Sequence, residues 1–333
     1  MSELRIGVVH WEAGDGMASA IASTLIELGH IAVGFSPEGA LPDGLDLIFL
    51  WGPLGSPVPI ANRLIEAPAR TRPRLVLWQT EQSWNPRLPA WLAHPASVLR
   101  AWLDRRRMGR PGIPDRPFRR GLRFRYFGDL LWLKRNGLPD VLAVPSDWYA
   151  EFLSQRGIDN ITAYIGAHPN WGADLGLVRD IPVLWIGKPG SRRRMKILRS
   201  VQRALKRRGI RMKIVDGIES PYVFGPERIE LLNRTKIVLN ILRQPWDANA
   251  LRYYLAAANG AMILTEPTLA HNPFRAGVHI VESDLARLAE TAVYYLKHEP
   301  ERARIAANSR ELVETELTMR GQVSKILSEV ARI

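Results

Sequence analysis

The sequence predicts an α/β protein built as two Rossmann-like halves. Three observations carry that prediction. Short apolar runs of strand length recur along all 333 residues, stretches of helical spacing alternate with them, and the alternation starts again in the second half. Buried strands joined by crossover helices are the sequence form of a parallel sheet covered on both faces. A chain of this length exceeds one small core and suits two domains. The expected division is 1–175, 176–315, and a closing helix over 316–333 placed to pack back on the first domain.

In the first half, Leu4 to His10 reads as a strand and Ala13-Gly14-Asp15-Gly16 as its loop. A helix follows from Met17 to Leu28, stopped at Gly29-His30, and then a strand from Ile31 to Phe35. Gly14 and Gly16 alone do not complete a G-x-G-x-x-G fingerprint, so the loop is a weak dinucleotide signal. Leu45 to Leu50 and Arg74 to Trp78 are further strand runs, the second ending in Gln79-Thr80-Glu81. Carboxylates at the carboxyl ends of parallel strands stand where α/β folds do their chemistry. Arg100 to Arg125 is rich in Pro, Gly and aromatics without sustained periodicity, which predicts a long loop with short helical pieces. Asp140 to Val144 is a strand, Pro145-Ser146-Asp147 caps a helix to about Arg156, and Ile161 to Ile165 closes the half.

The second half repeats the pattern. Pro182 to Ile186 is a strand, and Gly187-Lys188-Pro189-Gly190-Ser191 is its loop. Arg192 to Arg208 is a helix with Met195, Leu198, Val201 and Leu205 on one face. A strand from Arg211 to Val215 and a helix from Pro226 to Asn233 follow. Then comes the stretch around which the half is organised, Lys236 to Glu266. Ile237 to Leu242 is a continuous apolar run, broken by Trp246-Asp247-Ala248-Asn249. Asn249 suits the N-cap of a helix that ends at Asn259-Gly260, and Ala261 to Leu264 is the next buried strand. The loop at that helix N-terminus is where an anion or a sugar is expected. A short strand at Val278 to Val281, a helix from Ser283 and closing helices complete the chain.

Composition narrows the function. No run approaches the roughly 20 apolar residues that span a bilayer, and the start goes directly into a strand rather than a leader. There is no cysteine, so disulfides and thiolate metal sites are excluded. A cytoplasmic protein is expected, with a peripheral place at a membrane surface left open. The net charge of +13 is concentrated in two segments. Arg100 to Arg125 holds ten arginines against two aspartates, and Lys188 to Lys213 holds twelve lysines or arginines and no acid. Such segments point to anionic partners; solvated surface is the alternative.

The string N-x-L-R…D-A-N-A-L-R-x-x-x-A-A-A-N-G-A resembles the donor-binding segment of GT-B glycosyltransferases of the group 1 type, and within them the CgeB-like branch. Asn240, Arg243, Asn249, Arg252, Ala258, Gly260 and Ala261 stand at matching positions. The broader family carries two glutamates eight residues apart here, at positions occupied by Asp247 and Leu255. The first change keeps a carboxylate for the donor sugar; the second removes the group that holds the nucleotide ribose. The resemblance implies a GT-B fold of two facing Rossmann-like domains with an interdomain cleft. It implies transfer of a sugar from a nucleotide diphosphate sugar, such as a UDP- or GDP-sugar, with no separate cofactor.

It also implies a set of site residues. Lys188 and Arg193 or Arg194 match the cations that hold the diphosphate, joined by Asn240, Arg243, Asn249 and Arg252. Asp247, Glu81 and Asp15 are the carboxylates for the chemistry at the sugar carbon, whose transition state is oxocarbenium-like. Gly14, Gly16, Arg105, Arg106 and Arg107 belong to the half that holds acceptors. The seven His are scattered and no cluster has ligand spacing, so no metal site is expected. Arginines interleaved with aromatics in Arg100 to Arg125 suit either an anionic membrane surface or DNA. The acceptor is therefore expected to be polyanionic or membrane-associated, a lipid-linked saccharide or DNA. The competing class is a binding protein for nucleotide sugars or nucleic acid that kept the fold and lost transfer; Leu255 is its main support. A sugar-nucleotide epimerase is disfavoured by the Lys236 to Glu266 motif.

Overall fold

A computed structural model describes residues 3–10, 16–52, 57–68, 70–107, 121–188, 190–247, 251–268 and 273–333. They form two compact units, residues 1–164 with 322–333 and residues 165–321.

The first unit is a six-stranded parallel sheet of order β2-β1-β3-β4-β5-β6. Its strands are β1 (Arg5–Val9), β2 (Ile31–Phe35), β3 (Leu47–Gly52), β4 (Arg74–Gln79), β5 (Val141–Val144) and β6 (Ile161–Thr162). The helices are α1 (Gly16–Glu27), α2 (Val58–Glu66), α3 (Ala90–Arg107), α4 (Leu122–Arg135) and α5 (Asp147–Ser154). β3 is buried at every position and β4 at all but its first, as central strands covered on both faces must be. Ser146 caps α5, its Oγ accepting from the Tyr149 amide at 3.2 Å. The segment after residue 321 belongs to this unit through backbone and side chain alike. Arg74 Nη1 donates to the Val330 carbonyl at 2.6 Å, and the Tyr164 amide donates to Gln322 Oε1 at 2.9 Å.

The basic segment corrects the sequence reading. Arg100 to Arg107 is not loop but the end of the eighteen-residue α3, and Arg123 and Arg125 begin α4; residues 108–120 lie outside the described set. The two helices meet through small residues. Ala93, Ser97 and Ala101 of α3 are buried, and a Cβ on Gly128 of α4 would lie 2.1 Å from the Ser97 carbonyl oxygen. Asp129, one residue on, is buried between two cations, with Arg105 Nη1 at 3.3 Å and Arg125 Nε at 3.7 Å. Burial pushes its carboxyl up to about 7, against Arg125 and Arg105 drawing it down. A carboxyl raised in the folded state contributes most while protonated, below about pH 4. That contribution is lost as pH rises through about 7. We expect the melting temperature of the wild type to fall more between pH 4 and 8 than that of Asp129→Asn; identical pH profiles would show that the carboxyl stays ionised throughout.

The second unit holds a five-stranded parallel sheet of order β11-β10-β9-β7-β8. Its strands are β7 (Ile181–Ile186), β8 (Met212–Val215), β9 (Thr235–Asn240), β10 (Met262–Thr265) and β11 (Val281–Glu282). α6 (Arg192–Lys206), α7 (Gly225–Asn233), α8 (Leu251–Ala258), α9 (Leu288–Lys297) and α10 (Glu299–Thr315) flank it, and α11 (Met319–Val330) follows. Two details differ from expectation. The strand read at Val278 to Val281 is confined to Val281–Glu282, because Arg275 to Ile280 folds into turns on its own carbonyls. The helix read from Ser283 begins at Leu288. Val183, Trp185, Leu198, Leu205, Ile237, Leu239 and Leu264 centre the core.

Candidate functional site

β7, β9 and β10 are neighbouring parallel strands, so their carboxyl ends deliver three loops to one edge of the second unit. In open α/β sheets that edge is where ligands bind. β7 ends in Gly187, which takes φ +114°, and the chain then enters α6. Ser191 caps α6 by accepting from the Arg194 amide at 3.1 Å, and its hydroxyl also donates to the Arg243 carbonyl at 3.4 Å. The first turn of a fifteen-residue helix therefore stands beside the loop after β9, with the positive end of the helix dipole.

Arg252 is the central group. It sits on the first turn of α8, buried, donating from Nε to the Ile186 carbonyl at 2.7 Å and from Nη1 to Asn240 Oδ1. Its guanidinium lies 4.1 Å from the centre of the Trp185 ring. A Cβ on Gly187 would stand 3.0 Å from Nη2, so the glycine leaves that nitrogen its room. Asn240 is held in turn, donating to Thr265 Oγ1 at 3.1 Å and to the Tyr253 hydroxyl at 3.4 Å. Burial first, and Arg194 second, push the Arg252 pKa down to about 9. A guanidinium does not give up its proton in a protein, so the shift expresses the cost of holding this charge out of water. Arg194 is also buried, donates to the Lys188 carbonyl at 3.2 Å and lies 5.4 Å from the same indole. Among the described residues no carboxylate forms an ion pair with Arg252.

The other expected residues of this half divide by placement. Arg193 is tied into the fold. Its Nη1 donates to the Leu242 carbonyl at 2.9 Å, and both terminal nitrogens grip Glu266, which also accepts from the Leu242 amide at 2.7 Å. Glu266 was missed by the sequence reading, although an acid ending a buried strand was a signal for it. Lys188 is exposed and Arg243 half-buried on the two loops that Ser191 joins. Asp247 closes a turn of its own, accepting from the Gln244 amide at 3.0 Å. Leu255 is buried within α8. Asn249 lies outside the described residues.

In the first unit, Glu81 follows β4, half-exposed, with Arg123 Nη2 3.9 Å from its carboxylate. Arg105, Arg106 and Arg107 form the last turn of α3. Arg105 is engaged by Asp129, and Arg106 lies 4.0 Å over the Trp102 ring. Gly16 opens α1 with nothing within 4 Å of the Cβ it lacks; Gly14 and Asp15 lie outside the described residues. Among the described residues no three His, Asp or Glu side chains are grouped as a metal ligand set would be, and no helix is long and apolar enough to cross a membrane.

Residues 192–328 match the family model described as glycosyl transferase-like. No curated protein matches the chain. Solved structures resemble it over nearly its whole length. HepE of Anabaena, in complex with UDP and glucose, is 12% identical with a TM-score of 0.60, over 99% of this chain and 100% of that one. WaaG, a glycosyltransferase involved in lipopolysaccharide biosynthesis, is 16% identical with a TM-score of 0.55, over 96% and 97%. The sucrose-phosphate synthase of Thermosynechococcus elongatus is 11% identical with a TM-score of 0.62, over 99% and 98%. Two parallel sheets with flanking helices, shared with these enzymes from end to end, identify the fold of this chain as GT-B.

Proposed function

We propose that the chain is a glycosyltransferase of the group 1 type, CgeB-like in its donor segment, that takes its sugar from a nucleotide diphosphate sugar. The observation that carries this is Arg252, a buried cation with no described carboxylate partner, fixed at the carboxyl end of β7 beside Arg194 and the N-terminus of α6. An uncompensated buried charge is costly, and a diphosphate would supply the missing anion. Negative charge grows on that diphosphate as the glycosidic bond breaks, so cations and helix amides already in place stabilise the transition state more than the ground state. Lys188 and Arg243, on the adjoining loops, are assigned to the outer phosphate oxygens. Asn240 is a positioning residue for Arg252. Asp247 is assigned to the donor sugar, with Glu81 and Asp15 as the carboxylates of the acceptor unit. HepE crystallised with UDP-glucose, which supports a UDP-sugar as the first donor to try. The acceptor is taken to be polyanionic or membrane-associated.

Thermal shift and hydrolysis with a panel of UDP- and GDP-sugars test the reading. At least one should both raise the melting temperature and release free sugar. Asp247→Ala should reduce that release by at least about a hundredfold while shifting stability by less than about 1 kcal/mol. A panel in which nothing binds overturns the proposal. A second reading, a binding protein that has lost transfer, is favoured by the buried apolar Leu255 where the family places a glutamate; a sugar nucleotide that stabilises the protein and is never turned over would select it.

A further inference from the structure

We infer that the outer face of α3 is a docking surface for an anionic phospholipid bilayer. This names a partner for the unit assigned above to the acceptor, but it rests on that unit's surface and not on transfer.

The helix is built opposite to the usual arrangement. Its small residues Ala93, Ser97 and Ala101 face inward, while its large apolar residues face water. Trp91 is 77% exposed, Leu99 57% and Trp102 39%. At 3.6 residues per turn, positions 91, 95, 98, 99, 102 and 106 fall on one stripe. Trp91 and Trp102 are three turns apart along it, about 16 Å at 1.5 Å per residue. A shallow groove of about 700 Å³ runs beside the stripe between α3 and α4, walled by Pro95, Val98, Leu99, Trp102 and Leu131. Arg105 and Arg135 also line it.

Charge complementarity selects the occupant. Arg135 lines the groove, and Arg106 lies over the ring of Trp102 itself, so cations border the apolar strip. Interfacial helices show this composition: indoles and aliphatic groups below the headgroups, guanidinium groups among them. A second copy of the chain seated on the same face would set these cations against their own kind. Nucleic acid fits less well than the sequence suggested. Four of the described arginines of the segment stand within 4 Å of a carboxylate of their own unit: Arg100 and Arg125 by Asp104, Arg105 by Asp129, Arg123 by Glu81. Exposed leucine has no use on a phosphate backbone.

Co-sedimentation of the full chain with phosphatidylcholine vesicles, with and without phosphatidylglycerol, tests the inference, beside a parallel titration with duplex DNA. Binding should require the anionic lipid. The variant Trp91→Ser/Leu99→Ser/Trp102→Ser should lower partitioning by about tenfold or more with an unchanged melting curve, and Trp91→Ser alone, at the most exposed position, should lower it measurably. Failure of the wild type to bind anionic vesicles overturns the inference, as does binding that the apolar variants leave intact. Tighter binding to DNA that survives the triple variant would reassign the segment to nucleic acid, and a dimer abolished by the triple variant would reassign the face to self-association.

Discussion

Replacing Arg252 with methionine is expected to weaken binding of a nucleoside diphosphate by about 3 kcal/mol, roughly a hundredfold in Kd, and to leave the second unit folded. Two effects on stability oppose one another. Removing the side chain strands the Ile186 carbonyl and Asn240 Oδ1, each worth about 1–3 kcal/mol when buried without a partner. It also removes a buried charge that no described carboxylate neutralises, and apolar replacement of buried charges is often neutral or stabilising by about 1–4 kcal/mol. Net stability should therefore stay within about 2 kcal/mol of wild type. Calorimetric titration with UDP and GDP, paired with denaturant melts, reads both quantities. A variant that binds as tightly as wild type but melts early would make Arg252 a packing group and remove the observation on which the donor site stands.

Gly128→Ala is expected to cost about 3 kcal/mol or more in the stability of the first unit. The added Cβ would lie 2.1 Å from the Ser97 carbonyl oxygen and 2.7 Å from the Ala101 Cβ. A backbone carbonyl cannot rotate aside as a side-chain end can, so α3 and α4 must separate, and the apolar groove and the Asp129 cluster go with them. Gly16→Ala is the control, since nothing stands within 4 Å of its Cβ position; it should change stability by no more than about 0.5 kcal/mol. Urea unfolding of the two variants decides the matter, and equal midpoints would mean that the hairpin yields to the methyl group.

What could be read from the sequence followed from burial on both faces. β3, β4, β7 and β9 are apolar nearly throughout because helices cover both sides of each sheet, and such runs are conspicuous. The resemblance in Lys236 to Glu266 pointed to Arg252 and Asn240, but not to the hydrogen bond between them or to the burial of Arg252. Periodicity failed at α3. A helix that buries Ala93, Ser97 and Ala101 and exposes Trp91, Leu99 and Trp102 presents its apolar stripe on the wrong side, and Pro95 within it reads as a break. The division of labour between Arg193 and Arg194 was equally illegible. Adjacent positions on a helix point about 100° apart, and only the fold places Glu266 opposite one and Trp185 near the other.

The bond from Arg74 to the Val330 carbonyl joins residues 256 positions apart, and everything between β6 and Gln322 is the second unit. The second unit is thus a continuous insert, and the first is discontinuous. On a ribosome, residues 165–321 emerge as one uninterrupted piece, whereas the sheet begun by β1 waits for the segment beyond residue 321 to be complete. The half of the protein made first is the half completed last, and incomplete apolar surface of that kind is what makes nascent multidomain chains prone to aggregate.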